Sequence, residues 1–290
     1  MDLVTFGVQL LNAVQYGLVL FLVASGLTLV FGILGVINLA HGAFYMLGAY
    51  TAFWLAAATG SFWIALVGGV AIAFVVGMLM EDVFVRRLYG RDHLAQVLLS
   101  FALILILDEV RLHLFGKDVH SVAPPDFLQG SIQLTDTLSY PVYRLAVCLF
   151  CLLVALAIFA VLRWTKIGMV VRAGAENREM VRALGISFDR VSRYVFAVGI
   201  ALAALAGIVV APISTVYPGM GDGMLILSFV VVVLGGIGSV AGAAIGALAV
   251  GLTDTFGKVF FPAFSSVSVY LVMALILLWR PNGILGRREV

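Results

Sequence analysis

Apolar runs of membrane-crossing length recur along the whole chain. They lie near 6–31, 36–58, 62–80, 94–114, 142–162 and 193–216. A last apolar region covers 225–279. The cluster Gly235-Gly236-Ile237-Gly238-Ser239 divides it, giving runs at 225–237, 239–257 and 264–279. A spanning helix needs about 20 mostly apolar residues. In lipid every backbone N–H and C=O must pair within the protein, so runs of this kind predict helices. Strands of a membrane barrel would alternate apolar and polar residues, and these runs do not. The pattern predicts an all-α, polytopic integral membrane bundle with about nine membrane-spanning segments, within a range of eight to ten. No linker or low-complexity tract divides it, so residues 1–290 read as one transmembrane domain.

Charge orients the spans. Most of the 17 Lys and Arg fall in three segments. Arg86, Arg87 and Arg91 lie in 84–95. Arg163, Lys166, Arg172, Arg178, Arg182, Arg190 and Arg193 lie in 163–193, and Arg280, Arg287 and Arg288 lie in the tail. The positive-inside rule makes all three cytoplasmic. The connection 116–140 carries Lys117 against Asp118, Asp126 and Asp136, contains Pro124-Pro125, and reads as the external loop. An even number of crossings must join 193 to the tail, which supports the break at Gly235–Ser239. Counting back from 84–95 places the N-terminus outside and the C-terminus in the cytoplasm. The first residues carry no basic stretch or small-residue cleavage site, so the first run reads as a retained span.

Composition agrees. Hydrophobic residues make up 63% and charged residues 11% of the chain, against about 45–50% and about 25% in soluble domains. Cys148 and Cys151 form a C-x-x-C inside an apolar run. Without polar surroundings or further ligands they read as packing residues, and no metal site is expected.

Several polar and glycine positions stand out. The turn Phe31–Gly42 lacks formal charge apart from what His41 carries. It reads as a tight or broken element permitted by Gly32, Gly35 and Gly42, or as a short apolar turn at the interface. Gly238, Gly242 and Gly246 recur every four residues, giving one smooth helix stripe for close packing or for sliding against a neighbour. Asp108 with Arg111 and Glu109 with His113 have i,i+3 and i,i+4 spacing. Polar residues inside spans are functional candidates. Asn12, Gln15, Asn38, His41, Glu109 and Ser239 could line a pathway, with Ser25 and Thr28 beside them. Each could equally be an interhelical hydrogen-bond partner. In the loop 163–193, residues 175–184 read as a short helix preceded by Gly174 and stopped at Gly185. Ala173, Asn177, Met180 and Leu184 would share one face, with Glu176, Glu179 and Arg182 largely on another. That is the shape of a docking element, or else of a solvated basic loop.

The segments GLTLVFGILGVINLAHGAFYMLGAY (26–50), RAGAENREMVRALGI (172–186), VVLGGIGSVAGAAIGAL (232–248) and RPNGILGR (280–287) resemble the LivH-type permeases of the branched-chain amino acid ABC importer family. The resemblance runs from about Gly7 to Arg287. It implies a bacterial inner-membrane permease domain beside a second homologous permease, two cytoplasmic ATP-binding subunits and an external solute-binding protein. The loop 163–193 would couple to an ATPase through Gly174, Glu176, Asn177, Arg178, Glu179 and Gly185. The wider importer signature E-A-A-x-x-x-G is matched loosely: Glu179 and Gly185 hold its ends, and Met180 and Val181 replace the alanines. No G-x-x-x-x-G-K-[ST] loop is present, so ATP is expected on partner subunits, with no cofactor bound here and no catalysis.

The expected solute is small and neutral or zwitterionic, because the candidate path residues are mostly neutral. The resemblance points to branched-chain amino acids, or to amides or urea. Two other classes remain open. A secondary transporter would show inverted repeats and an internal ion site. An intramembrane enzyme would need convergent catalytic groups. Neither signature is evident.

Overall fold

The computed structural model describes residues 3–135 and 138–286. Asp136 of the acidic loop and Arg287 and Arg288 of the basic tail lie outside the described residues. Eleven α-helices appear among those described: α1 (Leu3–Leu34), α2 (His41–Thr59), α3 (Phe62–Val83), α4 (His93–Phe115), α5 (Val142–Trp164), α6 (Lys166–Glu176), α7 (Arg178–Ala183), α8 (Phe188–Val210), α9 (Met220–Gly235), α10 (Val240–Phe260) and α11 (Ser265–Trp279). Helices α1, α3, α5, α8 and α10 are long and apolar enough to cross a membrane. The protein is an all-α membrane bundle.

Helix α1 has 32 residues and reaches about 48 Å at 1.5 Å per residue. It exceeds the apolar core of a bilayer, about 30 Å. With α8 it forms the centre: 83% and 78% of their most apolar windows are buried, against 17% for α5. On α5, Leu149, Leu152, Leu153 and Leu156 remain exposed. Lipid is as apolar as leucine, so the hydrophobic effect does little to hold such helices together. Close packing does that, and small residues permit it. At the α1–α8 crossing Gly26 meets the backbone of Gly199. Gly48 and Gly207 bring α2 and α8 into backbone contact, Gly48 against Ala204 and Gly207 against Tyr45. Gly251 of α10 sits on Ala13 and Gly17 of α1.

The two ends of α1 mark the two ends of the bundle. Near its start, Tyr140 Oη donates to Asn12 Oδ1 at 3.0 Å. The same end holds the hairpin of β1 (Ser131–Thr135) and β2 (Leu138–Pro141). His120 and Val216 pair there through their backbones. The connection 116–140 is therefore partly structured, where the charge pattern alone described a loop. Near the other end, Gly32 abuts Gly238, and the Arg178 guanidinium lies beside Gly35. The tail folds back there, with the Ile284 N–H donating to the Leu234 carbonyl at 2.8 Å.

Three expectations need correction. The break between α1 and α2 is real, spanning 35–40, but only Gly35 (φ 58°) serves the turn. Gly32 and Gly42 sit inside helices, where Gly238 and Gly221 crowd them. Val36, Asn38 and Ala40 are buried, so protein covers this element. Second, Gly238 is not part of a helical stripe. It lies in the turn before α10 with φ 78°, leaving Gly242 and Gly246 to pack on Gly235 and Val231 of α9. Third, residues 175–184 are not one helix. Asn177 (φ −153°) interrupts them and caps α7, its Oδ1 accepting from the Met180 N–H at 2.9 Å. Gly174 falls inside α6, and the break leaves Ala173 in α6 and Met180 in α7, with Asn177 between the two helices and Leu184 just beyond α7.

Candidate functional site

Two regions carry the candidate chemistry. The first is a cleft of about 720 Å³ at the Asn12 end of the bundle, between α1, α5, α9, α10 and the connection after α8. Asn12, Gln15 and Tyr16 enter it from α1, one helical turn apart. Arg144 enters from the first turn of α5, where its Nη1 donates to Asn12 Oδ1 at 3.1 Å. Asp254 and Lys258 come from the last turns of α10, paired at 2.6 Å. Val19, Val210, Ile213, Met220 and Met224 add apolar lining to the same cleft. Lys258 Nζ also lies 5.7 Å from the centre of the Tyr16 ring, a distance at which a cation is attracted to an aromatic face.

Of the sequence-predicted pathway residues, only Asn12 and Gln15 line this cleft. Asn38 is buried in the 35–40 break, its Oδ1 accepting from the Ala40 N–H at 3.1 Å. His41 is fully buried and its Nε2 donates to the Val23 carbonyl at 2.9 Å, tying the start of α2 to α1. Glu109 is exposed beside His113 at 3.3 Å. Ser239 caps α10, its Oγ accepting from the Gly242 N–H at 3.0 Å. Ser25 and Thr28 hydroxyls donate to carbonyls of their own helix, Leu22 and Ala24. The neighbouring Arg111 is buried and reaches Asp108 at 3.0 Å and the Gly116 carbonyl at 2.9 Å.

Sequence reading missed Arg144, Asp254 and Lys258. A signal existed for two of them: Asp254 and Lys258 stand at i,i+4 within and just beyond the predicted span 239–257. Arg144 opens its span like any interfacial anchor, and only the fold brings it to Asn12. Cys151 is buried and Cys148 half-buried, both as thiols. Among the described residues no three His, Cys, Asp or Glu side chains gather as a metal site would require.

The second region is the α6–α7 segment at the opposite end. Thr165 caps α6, accepting from the Gly168 N–H at 3.1 Å. Gly174 is buried, with the Phe188 ring where a side chain would be. Glu176, Asn177, Glu179 and Gly185 are exposed. So are Met180 and Leu184, at 57% and 71%, which leaves two large apolar groups beside the acidic ones. Arg178 turns inward. It lies over Phe188 at 5.8 Å and against Gly35. Burial pulls its guanidinium below the usual arginine range; Tyr89 opposes this and Arg182 adds to it. Arginine stays charged through such shifts. Asp189 at the start of α8 holds both Arg86 (2.6 Å) and Arg182 (3.3 Å), and Asp82 holds Arg193 at 2.5 Å. These pairs join the end of α3, α7 and the start of α8. Gly185 has φ 79°. The Ile186 N–H donates to the Val181 carbonyl and the Gly185 N–H to that of Arg182, the paired bonds of a glycine-terminated helix. The stop expected at Gly185 is present.

Comparison with known proteins fits this architecture. The family model described as branched-chain amino acid transport system / permease component matches residues 9–279. The high-affinity branched-chain amino acid transport system permease protein BraD of Pseudomonas aeruginosa is 33% identical over 97% of this chain and 96% of its own. The corresponding LivH of Escherichia coli is 32% identical over the same shares. The LivM permease protein of Escherichia coli is 27% identical over 90% of this chain and 66% of its own. No solved structure matches. A match of this extent, on an apolar bundle of this kind, assigns the chain to the family of branched-chain amino acid transport permease components.

Proposed function

We propose that the chain is the membrane-spanning permease subunit of an ATP-driven importer of branched-chain amino acids in a bacterial inner membrane. The observation that carries this reading is the family match from residue 9 to residue 279, with relatives aligned nearly end to end. The weaker likeness to a second kind of permease, LivM, supports pairing with a homologous subunit. Nucleotide binding and hydrolysis belong to two cytoplasmic partners, since this sequence carries no phosphate-binding loop. An external binding protein delivers the solute.

Nine spans (α1–α5 and α8–α11), an external N-terminus and a cytoplasmic C-terminus follow from the charge pattern. The ion pairs Arg86–Asp189 and Arg193–Asp82 support it by gathering two basic segments at one end of the bundle. That end is cytoplasmic by the positive-inside rule. The cleft at Asn12 and Arg144 is then the outer mouth and receives solute. The exposed Glu176, Glu179, Met180 and Leu184 offer a mixed surface to an ATPase. Movement of α7 reaches α1 through Arg178 at Gly35. The close glycine contacts between helices let them shift as rigid rods, and access to the cleft alternates.

The test is reconstitution with the partner subunits. Leucine, isoleucine or valine on the cognate binding protein should stimulate ATP hydrolysis and accumulate inside vesicles. Stimulation by amides or urea alone would place the chain with a different solute. Stimulation by only a divalent metal, a phosphate ester or a large sugar would defeat the reading.

A further inference from the structure

We infer that the Asn12 cleft is a zwitterion-binding site in which Asp254 takes the solute's ammonium group, Arg144 with Lys258 takes its carboxylate, and the Met220–Met224 wall takes its aliphatic side chain. The inference rests on the permease reading above and adds the residues that would recognise the solute.

Three observations carry it. The first is the state of Asp254. Its side chain is 13% exposed, and its ion-pair partner is Lys258, whose own side chain is 62% exposed. A buried carboxylate needs a cation, and this one is held by an exposed ammonium on a long four-carbon stem. A solute ammonium can replace Lys258 without leaving Asp254 unpaired. Lys258 then becomes available to a carboxylate in the same cleft.

The second is Arg144. It lines the cleft half-buried and has no carboxylate partner among the described residues. Its Nη1 donates to Asn12 Oδ1, which also accepts from Tyr140. Asn12 and Tyr140 thus steady a guanidinium with donors to spare, and its planar fork matches a carboxylate. A neutral amide or urea would leave that cation unpaired. A zwitterion satisfies both the acid and the spare base.

The third is the apolar part of the lining. Val19, Ile213, Met220 and Met224 line the same cleft as Arg144, Asp254 and Lys258. Methionine is unbranched and adapts to irregular shapes, which suits several branched aliphatic side chains without selecting one. A volume of about 720 Å³ holds an amino acid with water, within the usual range of small-molecule sites.

The complete transporter, with both permeases, its ATPases and its binding protein, is reconstituted in liposomes, and uptake of leucine is measured. Asp254→Asn and Arg144→Gln should each lower uptake at least about tenfold, the loss of one charge-assisted contact. Asp254→Glu and Arg144→Lys should retain a substantial share. The exchanged pair Asp254→Lys with Lys258→Asp keeps an i,i+4 ion pair on α10 but moves the acid by one turn, and it should remain deficient. Wild-type uptake in both Asp254→Asn and Arg144→Gln would overturn the site while leaving the permease reading intact. Recovery in the exchanged pair would also overturn it, because the ion pair would then matter only to the fold. If Asp254→Asn does not insert, Arg144→Gln decides alone. A wild-type complex that moves no amino acid would defeat both the branched-chain reading and the site.

Discussion

Replacing Gly185 tests whether the α6–α7 segment transmits force. Its φ of 79° lies in the left-handed region, where an L-residue pays about 1–2 kcal/mol. A Cβ built at this position meets nothing within 4 Å. The penalty is therefore purely conformational and free of steric overlap. An energy of that size depopulates the observed end of α7 by about 5- to 30-fold. Asparagine tolerates this region better than alanine, and a β-branched residue tolerates it worst. The expected order of leucine moved per ATP hydrolysed is Gly185, then Gly185→Asn, Gly185→Ala and Gly185→Val. Membrane insertion should be equal throughout, because Gly185 lies outside the apolar spans. The assay is paired measurement of uptake and phosphate release in the reconstituted complex, with insertion followed by yield and gel filtration. Equal coupling across the series, with ATPase stimulation unchanged, would show that this segment is not the transmission element.

Other outcomes follow from the packing and the charge pattern. Gly207→Leu should abolish monodisperse protein in gel filtration, since its Cβ would run into the Tyr45 carbonyl and the Ala49 backbone, an overpacking cost of about 1–3 kcal/mol or more; Gly223→Ala, which meets nothing within 4 Å, should behave as wild type. In intact cells a membrane-impermeant thiol reagent should label a cysteine at Asp126 and spare one at Arg178; strong external labelling at 178 would reverse the orientation. The chain purified alone and reconstituted should move no solute under an ion gradient, and gradient-driven uptake would instead favour a secondary transporter.

Much of the architecture was legible because membrane helices are written locally. Apolar runs at 62–80, 94–114 and 142–162 became α3, α4 and α5 with ends shifted by only a few residues. Lipid forces each backbone group to pair within its own helix, so length and hydropathy suffice. The pairs Asp108–Arg111 and Glu109–His113 and the stop at Gly185 were also local, set by helix periodicity and by glycine's access to positive φ. The break at Asn177 is local too, and its signal is the asparagine itself. Asparagine competes for the backbone and favours the cap.

The cleft belongs to the tertiary structure. Asn12 and Arg144 are 132 residues apart, and nothing in either segment announces the other. Asp254 and Lys258 read alone as a helix-end ion pair. Only the packing of α10 on α1, set by Gly17 and Gly251, turns them toward the same space as Arg144. The same distinction separates Gly238 from Gly242 and Gly246: equal spacing in sequence, but one lies in a turn and two at a helix crossing. Periodicity and solvent dictate which segments are helices. Which residues face one another depends on how closely those helices approach, and that is decided by contacts between segments far apart in the chain.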